Sequence, residues 1–564
     1  MKKNKNLIYL KKVQRYKRLS QPVINILDKL RILPLAIPFL NWILRKMKVK
    51  RQFQKDLNYR LIGKAFKGVI QPYNKKKDKT ILVPFFTSGN NIFLLLNFLI
   101  TKRLQKRGYQ SIFLICDKSL PICNNERINK TREDDKFLCS SCYGTYPFLS
   151  KITGAKFLKL SDYSNPSNYK STEEEINQIA SLEACRSFRY NGNPIGLLAE
   201  KSVMRFFLTG ELEDKEEHIN SYKKFLKSLL FFIDTWDNLL QSENVNPELV
   251  LLYNGTLSFE TYVRNYCASN KIDYVTNETY VGNNSWIYKK NDEVMKLNWD
   301  EFWNEFKSSP FTESQRNRSI EFIEGLRGGK QMYAKLNEKT PLDDRLIGKE
   351  FIVLFTNLNF DTAVLGRNPV FNSMQDWIDQ VIDYWIENEV KTKLVIRVHP
   401  AELKLITASG DFVGPKIKSK IKGVENIVLF DASDKVDSYT LIENMTLGLI
   451  YSSTIGMEIA YMGKPCLVAG DAFYKEKPFI IYESSVKSYF EKLNILVTES
   501  NYTAPRKEDV LKFIDFIYFN RVKRLKGIGM DHANHVNTFT FENAEELEEM
   551  NATLLDEFEI EVLS

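Results

Sequence analysis

Short apolar runs alternate with helix-like segments through the second half of the chain. The runs predicted as strands are bounded by polar residues, Gly or Pro, and they span 350–355, 394–398, 426–429, 447–451 and 465–469. Runs of this length and composition are typical of buried parallel strands. The segments between them that have helical apolar spacing span 374–387, 438–444 and 455–462. This alternation predicts a parallel α/β sheet.

The first half of the chain repeats the pattern less regularly. Strands are predicted at 80–86, 110–116, 249–253 and 272–275, a helix at 92–106, and a polar helical region from about 160 to 245. Helical residues at 296–340 lead into the second half, and a terminal helix is predicted at 507–524. A chain of 564 residues suits two domains with extensions.

Polar side chains follow two of the predicted strands in the second half. In open α/β sheets, ligands bind at the carboxyl ends of the strands, and free N–H groups at a helix start suit a phosphate. The candidates for this site are Arg397, His399, Pro400, Ser452, Ser453, Thr454, Gly456 and Glu458. Ile455 occupies the position at which a capping box would pair with Glu458. Glu458 is therefore predicted to accept hydrogen bonds from sugar or ribose hydroxyls.

Three motifs carry a family resemblance. Arg-x-His-Pro at 397–400, Ser-Ser-Thr-x-Gly-x-Glu at 452–458 and Gly-Lys-Pro at 463–465 resemble the bacterial capsule polysaccharide biosynthesis glycosyltransferases. That group includes the Kdo transferases and is similar to the polysialyltransferases. The resemblance covers about 345–475 and implies a GT-B fold, in which two Rossmann-like domains enclose a cleft. It also implies that His399, Pro400, Ser452, Ser453 and Glu458 bind the donor nucleotide.

The resemblance leads to a division of the chain into four parts. We predict a basic, partly apolar extension at 1–75, an acceptor domain at 76–340, a nucleotide-sugar domain at 341–505, and a returning helix with an acidic tail at 506–564. No Asp-x-Asp ends a predicted strand, so no catalytic metal is expected. A cleft carboxylate must then deprotonate the acceptor hydroxyl. Glu278, which follows a predicted strand of the first domain, is the candidate base, and Asp361 and Glu260 compete with it. Asn254, at the end of another predicted strand, is a further cleft candidate.

Four cysteines, Cys116, Cys123, Cys139 and Cys142, have the spacing C-x6-C-x15-C-x2-C. One CxxC with two looser thiols predicts a structural zinc site in the loop 116–142, and ordinary reduced thiols are the alternative. The other cysteines form no secreted disulfide framework.

The amino-terminal segment is strongly basic. Residues 1–80 contain 23 Lys or Arg against three acids, and the apolar patch 32–44 is too short to span a bilayer. These features predict attachment to an anionic membrane surface, although a helix packed on the first domain remains open. No nucleic-acid motif is present. We expect a cytoplasmic protein, peripheral on the inner face of the bacterial membrane.

The predicted activity is inverting, metal-independent transfer of a sugar from a nucleotide-sugar donor to a glycan or lipid-linked glycan acceptor of the cell surface. Three alternatives remain open. They are a polyol-phosphate transferase, a nucleotide-sugar 2-epimerase, and a non-catalytic sugar-nucleotide-binding subunit. The first usually has an Asp before Tyr-Ser-Ser, whereas this chain has Ile450.

Overall fold

The computed structural model of the protein describes most of the chain beyond residue 49. The described residues are 50–72, 74, 79–85, 91–128, 131, 139, 146–243, 245–282, 284–327, 340–361, 364–405, 411–499, 502–530 and 536–564. Parallel strands and helices alternate in these residues, which confirms the predicted α/β class.

The strands are β1 (Thr80–Phe85), β2 (Gln110–Ile115), β3 (Lys156–Lys159), β4 (Leu249–Tyr253), β5 (Asp273–Glu278), β6 (Ser285–Lys290), β7 (Phe351–Phe355), β8 (Lys393–Arg397), β9 (Ile427–Phe430), β10 (Leu447–Ile450), β11 (Cys466–Val468), β12 (Ile481–Tyr482), β13 (Lys523–Arg524), β14 (Ile528–Met530) and β15 (Val536–Phe539).

The helices are α1 (Lys50–Ala65), α2 (Asn91–Gln105), α3 (Tyr146–Thr153), α4 (Lys170–Gln178), α5 (Leu182–Ser187), α6 (Ile195–Phe207), α7 (Glu216–Ser242), α8 (Ser258–Ser269), α9 (Asp300–Phe306), α10 (Glu313–Arg327), α11 (Met374–Glu387), α12 (Glu402–Leu405), α13 (Val413–Lys420), α14 (Ser438–Asn444), α15 (Ile455–Tyr461), α16 (Val486–Thr498), α17 (Lys507–Asp515), α18 (Ala544–Met550) and α19 (Ala552–Leu563).

Packing divides the chain into two compact units. The first unit holds the described residues of 1–118, 131–159 and 526–564, and the second holds those of 119–130 and 160–525. Compact units need not coincide with Rossmann-like domains, so the predicted domain limits remain a prediction.

The first unit is built on three parallel strands. β2 pairs with β1 on one side and with β3 on the other. The apolar face of α2 is fully buried from Ile92 to Ile100, and Phe98 packs edge-on against Phe113 of β2. β14 and β15 form a small antiparallel ribbon.

The second unit contains a six-stranded parallel sheet. Its strand order is β12-β11-β10-β7-β8-β9, and every neighbouring pair is parallel. Numbered from β7, this is the Rossmann order 3-2-1-4-5-6, with the direction of winding reversed between β7 and β10. The switch point, where ligands bind in such sheets, therefore lies at the carboxyl ends of β7 and β10.

Helices cover both faces of this sheet because its strands are apolar on both sides. Alternate residues such as Ile352 and Leu449 pack against α11 and α16. The intervening residues, such as Val353 and Ile450, pack against α14, α15 and α17. Two buried faces hold the strands rigidly, and this fixes the positions of the residues that follow them.

The second unit also contains β4, β5, β6 and β13. β4 and β5 are parallel, while β6 is antiparallel to both β5 and β13. The predicted terminal helix is shorter than expected, because α17 ends at Asp515 and continues as a π-helical turn, Phe516–Arg521. The chain then pairs with β6 through β13.

Candidate functional site

Polar residues from three neighbouring strands meet at the switch point of the six-stranded sheet. Thr356 and Asn357 follow β7, His399 follows β8, and Ser452 follows β10. The Asn357 side-chain oxygen accepts a hydrogen bond from the Ser452 backbone N–H at 3.4 Å, across the switch point. The predicted strand-end residues therefore lie side by side, and Asn357 links two of the three strands.

His399 has a defined tautomer. Its backbone N–H donates to the Thr356 hydroxyl at 3.0 Å, and its Nδ1 accepts from the Ala401 backbone N–H at 3.2 Å. Acceptance at Nδ1 leaves the ring proton on Nε2. Burial, and then the nearby Arg397 guanidinium, lowers the pKa of His399 to about 4. The ring is therefore neutral near pH 7, with Nε2–H as a donor.

The start of α15 differs from the prediction of free N–H groups. The backbone N–H of Ile455 donates to the Ser453 hydroxyl at 3.4 Å, and that of Gly456 donates to the Ser453 carbonyl at 3.3 Å. The Met457 N–H donates to the Thr454 carbonyl at 3.1 Å. Local bonds of 3.1 to 3.4 Å engage these three donors, and phosphate binding at the start of α15 stays a prediction.

Gly456, one of the predicted donor-site residues, is closely packed. A Cβ at this position would lie 2.5 Å from both Ile450 Cδ1 and the Tyr474 hydroxyl oxygen. The Tyr474 hydroxyl also donates to the Ser453 carbonyl. The space above Gly456 is therefore filled by Tyr474, a residue that the local motif does not contain.

Glu458 and Arg397 both have protein partners. The Tyr439 hydroxyl donates to Glu458 Oε2 at 2.6 Å, and Glu458 is buried. Its contact with sugar or ribose hydroxyls stays a prediction. The buried Arg397 guanidinium donates to the carbonyls of Asp431 at 2.7 Å and Val436 at 3.2 Å. Arg397 thereby holds the loop between β9 and α14 against the sheet.

Glu278 and Asn254, the strand-end residues of the first half, are joined directly. The Asn254 side-chain amide donates to Glu278 Oε2 at 2.9 Å, and the Thr279 backbone N–H donates to Oε1 at 2.8 Å. Burial raises the pKa of Glu278 despite these bonds. It also raises the pKa of neighbouring Tyr253 well above its usual value, and the Glu278 charge adds to that shift. Glu278 is only half-buried.

The competing carboxylates lie in different surroundings. Glu260 is buried in the first turn of α8 and accepts from the Asn124 side chain at 3.1 Å. Burial raises the pKa of Glu260 to about 7. Asp361 is exposed on the loop after β7. The three candidates therefore differ in exposure to solvent: Glu260 is buried, Glu278 is half-buried and Asp361 is exposed.

Other residues near these sites carried no signal in the sequence. Two guanidinium groups, those of Arg127 and Arg205, donate to the Asn124 carbonyl at 2.8 and 3.4 Å. Burial, and then the charge of Arg205, lowers the pKa of Arg127 to about 9. Glu293 accepts from Arg367 at 2.6 Å and Arg264 at 3.1 Å within the buried part of the same unit.

The cysteine prediction lies partly outside the described residues, because Cys142 is not among them. Cys116, Cys123 and Cys139 are half-buried. Among the residues that the structure describes, no three His, Cys, Asp or Glu side chains are grouped so as to hold a metal ion. Within the same residues, no helix is long and apolar enough to cross a membrane. The apolar patch 32–44 lies outside them.

The fold and site define an α/β protein with a doubly wound parallel sheet and a polar switch point. Residues 322–479 match the family model described as "Capsule polysaccharide biosynthesis protein". The matched region contains β7 to β11, with His399 and the segment 452–458. The match confirms the predicted resemblance to capsule polysaccharide biosynthesis proteins for that part of the chain.

Several solved structures resemble the chain at low identity. Thermosulfurimonas dismutans KpsC, beta Kdo 2,4 transferase, is 12% identical over 53% of this chain and 87% of that chain, with a TM-score of 0.32. The beta Kdo 2,7 transferase of the same protein is 14% identical over 56% and 89%, with a TM-score of 0.31. The UDP-GlcNAc 2-epimerase of Neisseria meningitidis bound to UDP-GlcNAc is 13% identical over 77% and 98%, with a TM-score of 0.23. No curated protein sequence matches the chain.

Proposed function

We propose that the chain is a metal-independent, inverting glycosyltransferase of GT-B type. It would move a sugar from a nucleotide-sugar donor to a growing capsule glycan. The proposal rests on one observation: Asn357, His399 and Ser452 lie together at the switch point of a sheet that has the Rossmann strand order. It lies within the region that matches the capsule family.

The donor would bind with its phosphate at these strand ends. His399 Nε2–H and the hydroxyls of Ser452 and Ser453 are the donors proposed for the phosphate oxygens. As the bond from the sugar to the phosphate breaks, negative charge grows on the leaving nucleotide. Fixed hydrogen-bond donors stabilise such charge in the transition state. This is the role that we assign to the three side chains in place of a metal ion.

Glu278 would act as the base for the acceptor. The acceptor hydroxyl loses its proton to the Glu278 carboxylate while its oxygen forms the new bond to the donor sugar. A raised pKa brings a carboxylate closer to the proton affinity that general-base catalysis needs. Glu278 combines that shift with partial exposure and with hydrogen bonds that orient the carboxylate.

Nucleotide binding provides the first test. We expect one of CMP, CDP, UDP or GDP to raise the melting temperature of the full chain, because a ligand that binds only the folded state stabilises it. His399→Ala should weaken the binding of that nucleotide about tenfold, which is the usual scale for the loss of one hydrogen bond to a charged group. Ser308→Ala, on an exposed segment after α9, is the control. Unchanged binding by His399→Ala would remove this residue from the donor site.

Two further proposals concern residues partly outside the described part of the chain. The first is that Cys116, Cys123, Cys139 and Cys142 bind one structural zinc, for which their spacing is the support. Metal analysis of protein purified without chelator should find about one zinc per chain. A fully stable, metal-free preparation would contradict it.

The second proposal is that residues 1–75 attach the enzyme to the inner face of the cytoplasmic membrane. Its support is the excess of cations in 1–80 beside the apolar patch 32–44. The full chain should sediment with anionic vesicles at low salt and less so at high salt. A full chain that ignores such vesicles at low salt would refute the proposal.

A further inference from the structure

The turn that ends β4 has two consecutive residues in the left-handed conformation. Asn254 has a φ of 52°, and Gly255 has a φ of 87°. Residues with a side chain rarely adopt this conformation, and asparagine is one of the few that tolerate it. A Cβ on Gly255 would lie 2.6 Å from Thr276 Cγ2, so the turn packs closely against β5. The chain therefore leaves β4 by a sharp turn that begins at Asn254.

The strand register places Asn254 opposite Glu278. β4 and β5 are parallel, and Tyr253 pairs with Asn277 at their carboxyl ends. The Asn254 backbone N–H donates to the Asn277 carbonyl at 2.9 Å and so extends the pairing by one residue. The Asn254 side chain thereby lies beside Glu278, and its amide nitrogen donates to Oε2 at 2.9 Å.

The other end of the Asn254 side chain has no partner. Asn254 is 7% exposed, and within the described part of the chain its buried Oδ1 accepts no hydrogen bond. A buried acceptor without a donor is unfavourable. The left-handed backbone and the lone acceptor are two local costs at one residue, and the contact that they secure is the one with Glu278. Such costs are often found where a functional group is positioned.

Asn254 and Thr279 hold different oxygens of the Glu278 carboxylate. The Thr279 backbone N–H donates to Oε1 at 2.8 Å, and the Thr279 hydroxyl donates to the same oxygen at 3.2 Å. Asn254 donates to Oε2. Burial raises the pKa of Glu278, and the hydrogen bond from Asn254 is the largest of the effects that lower it. A donor to an ionised carboxylate favours that ionised form.

We propose that Asn254 is a positioning residue for the base: its side-chain amide orients the Glu278 carboxylate and keeps it ionised for proton transfer from the acceptor hydroxyl. The inference rests on the proposed function, because it takes Glu278 as the base. Asn254 acts through Glu278 rather than through a substrate. Its loss should therefore slow proton transfer and leave the binding of the donor nucleotide unchanged.

Asn254→Gly in the full chain separates this role from a role in the turn alone. Glycine readily adopts the left-handed conformation, so the variant keeps the turn and removes the amide. Without that donor the pKa of Glu278 rises. Because kcat/KM falls as the base is protonated at acid pH, this acid limb should move to higher pH. At neutral pH kcat should fall about tenfold, the scale for the loss of one hydrogen bond to a charged group. A residue needed only for the turn would leave kcat and the acid limb unchanged.

Asn254→Asp provides a second variant of the same shape. It places another carboxylate beside Glu278, and like charges raise the pKa of a neighbouring carboxylate. The acid limb should therefore move further than in Asn254→Gly.

The matched control is Asn291→Gly. Asn291 also has a left-handed φ, of 54°, and its amide donates to a carboxylate, that of Asp273, at 2.7 Å. This pair is exposed and lies at the other end of β5 from Glu278. The control should keep the kcat and the pH profile of the wild type.

A second readout does not depend on turnover. A water-soluble carbodiimide adds to protonated carboxyl groups, so mass spectrometry gives the highest pH at which Glu278 is labelled. That pH should rise in both Asn254 variants and stay constant in Asn291→Gly. Such a rise in a protein whose wild type turns over no donor would contradict the glycosyltransferase and keep the role of Asn254. An active transferase whose acid limb and labelling pH are unchanged in both Asn254 variants would overturn that role and keep the proposed function.

Discussion

Glu278 and Glu260 show how two glutamates of one half of the chain come to differ in chemistry. Glu278 is half-buried at the end of β5, with both carboxylate oxygens oriented by hydrogen bonds. Glu260 is buried within α8, and burial raises its pKa to about 7. A base must touch the acceptor hydroxyl, so access favours Glu278, whereas pKa alone would favour Glu260.

A pH profile distinguishes the two carboxylates. The base acts when ionised, so kcat/KM should fall as the pH drops through the raised pKa of Glu278. Glu278→Gln should lower kcat/KM by roughly a hundredfold or more and abolish this acid limb. Glu260→Gln serves as the comparison and should keep the limb. An acid limb near pH 7 that survives in Glu278→Gln and disappears in Glu260→Gln would reassign the base.

The environments of the motif residues depend on partners that are distant in sequence. Tyr439 donates a hydrogen bond to Glu458, and Tyr474 fills the space above Gly456. The backbone carbonyls of Asp431 and Val436 accept hydrogen bonds from Arg397. The motif spacing identified the strand-end positions correctly. It held no information about these partners, and therefore none about which side chains stay open to a ligand.

Regular apolar patterns gave the most accurate predictions of where helices and strands begin and end. The predicted helices 374–387 and 438–444 coincide with α11 and α14, and strand 249–253 coincides with β4. By contrast, β3, β12 and β13 were not predicted. They are two to four residues long and are defined by pairing with a neighbour rather than by their own pattern.

One buried carboxylate contributes to the pairing between α10 and α17. Asp515 is fully buried and accepts two hydrogen bonds from Arg318, at 2.5 and 2.9 Å, and one from Gln315 at 3.1 Å. Asp515→Asn removes the charge and one acceptor from this arrangement. We expect it to lower the free energy of unfolding by about 1–3 kcal/mol, measured by urea denaturation.

Asp343→Asn is the matched control for Asp515→Asn. Asp343 also binds one arginine through two bonds, at 2.7 and 3.1 Å to Arg345, but its side chain is 27% exposed, whereas that of Asp515 is 0% exposed. Exposed pairs contribute about 0–1 kcal/mol. Similar losses in both variants would mean that burial of Asp515 does not strengthen its pairing.

At the scale of the whole molecule, part of the charge of the acidic tail is neutralised inside the first unit. The acidic tail forms α18 and α19, whose Glu548 and Glu559 bind cations of α2. Lys102 donates to Glu548 at 2.5 Å, and Arg103 donates to Glu559 at 2.7 Å. The sequence predicted only an acidic tail here, because the partners of that tail lie on α2, more than 400 residues away.

Product analysis of the full chain with a panel of CMP, CDP, UDP and GDP sugars and capsule-derived oligosaccharides tests the central claim most directly. The account predicts that one donor releases its nucleotide while its sugar appears on the oligosaccharide, without added metal. His399→Ala should lose this turnover, and Ser308→Ala should keep it. Recovery of the sugar as a 2-epimer still attached to its nucleotide, or full turnover by His399→Ala, would contradict the account.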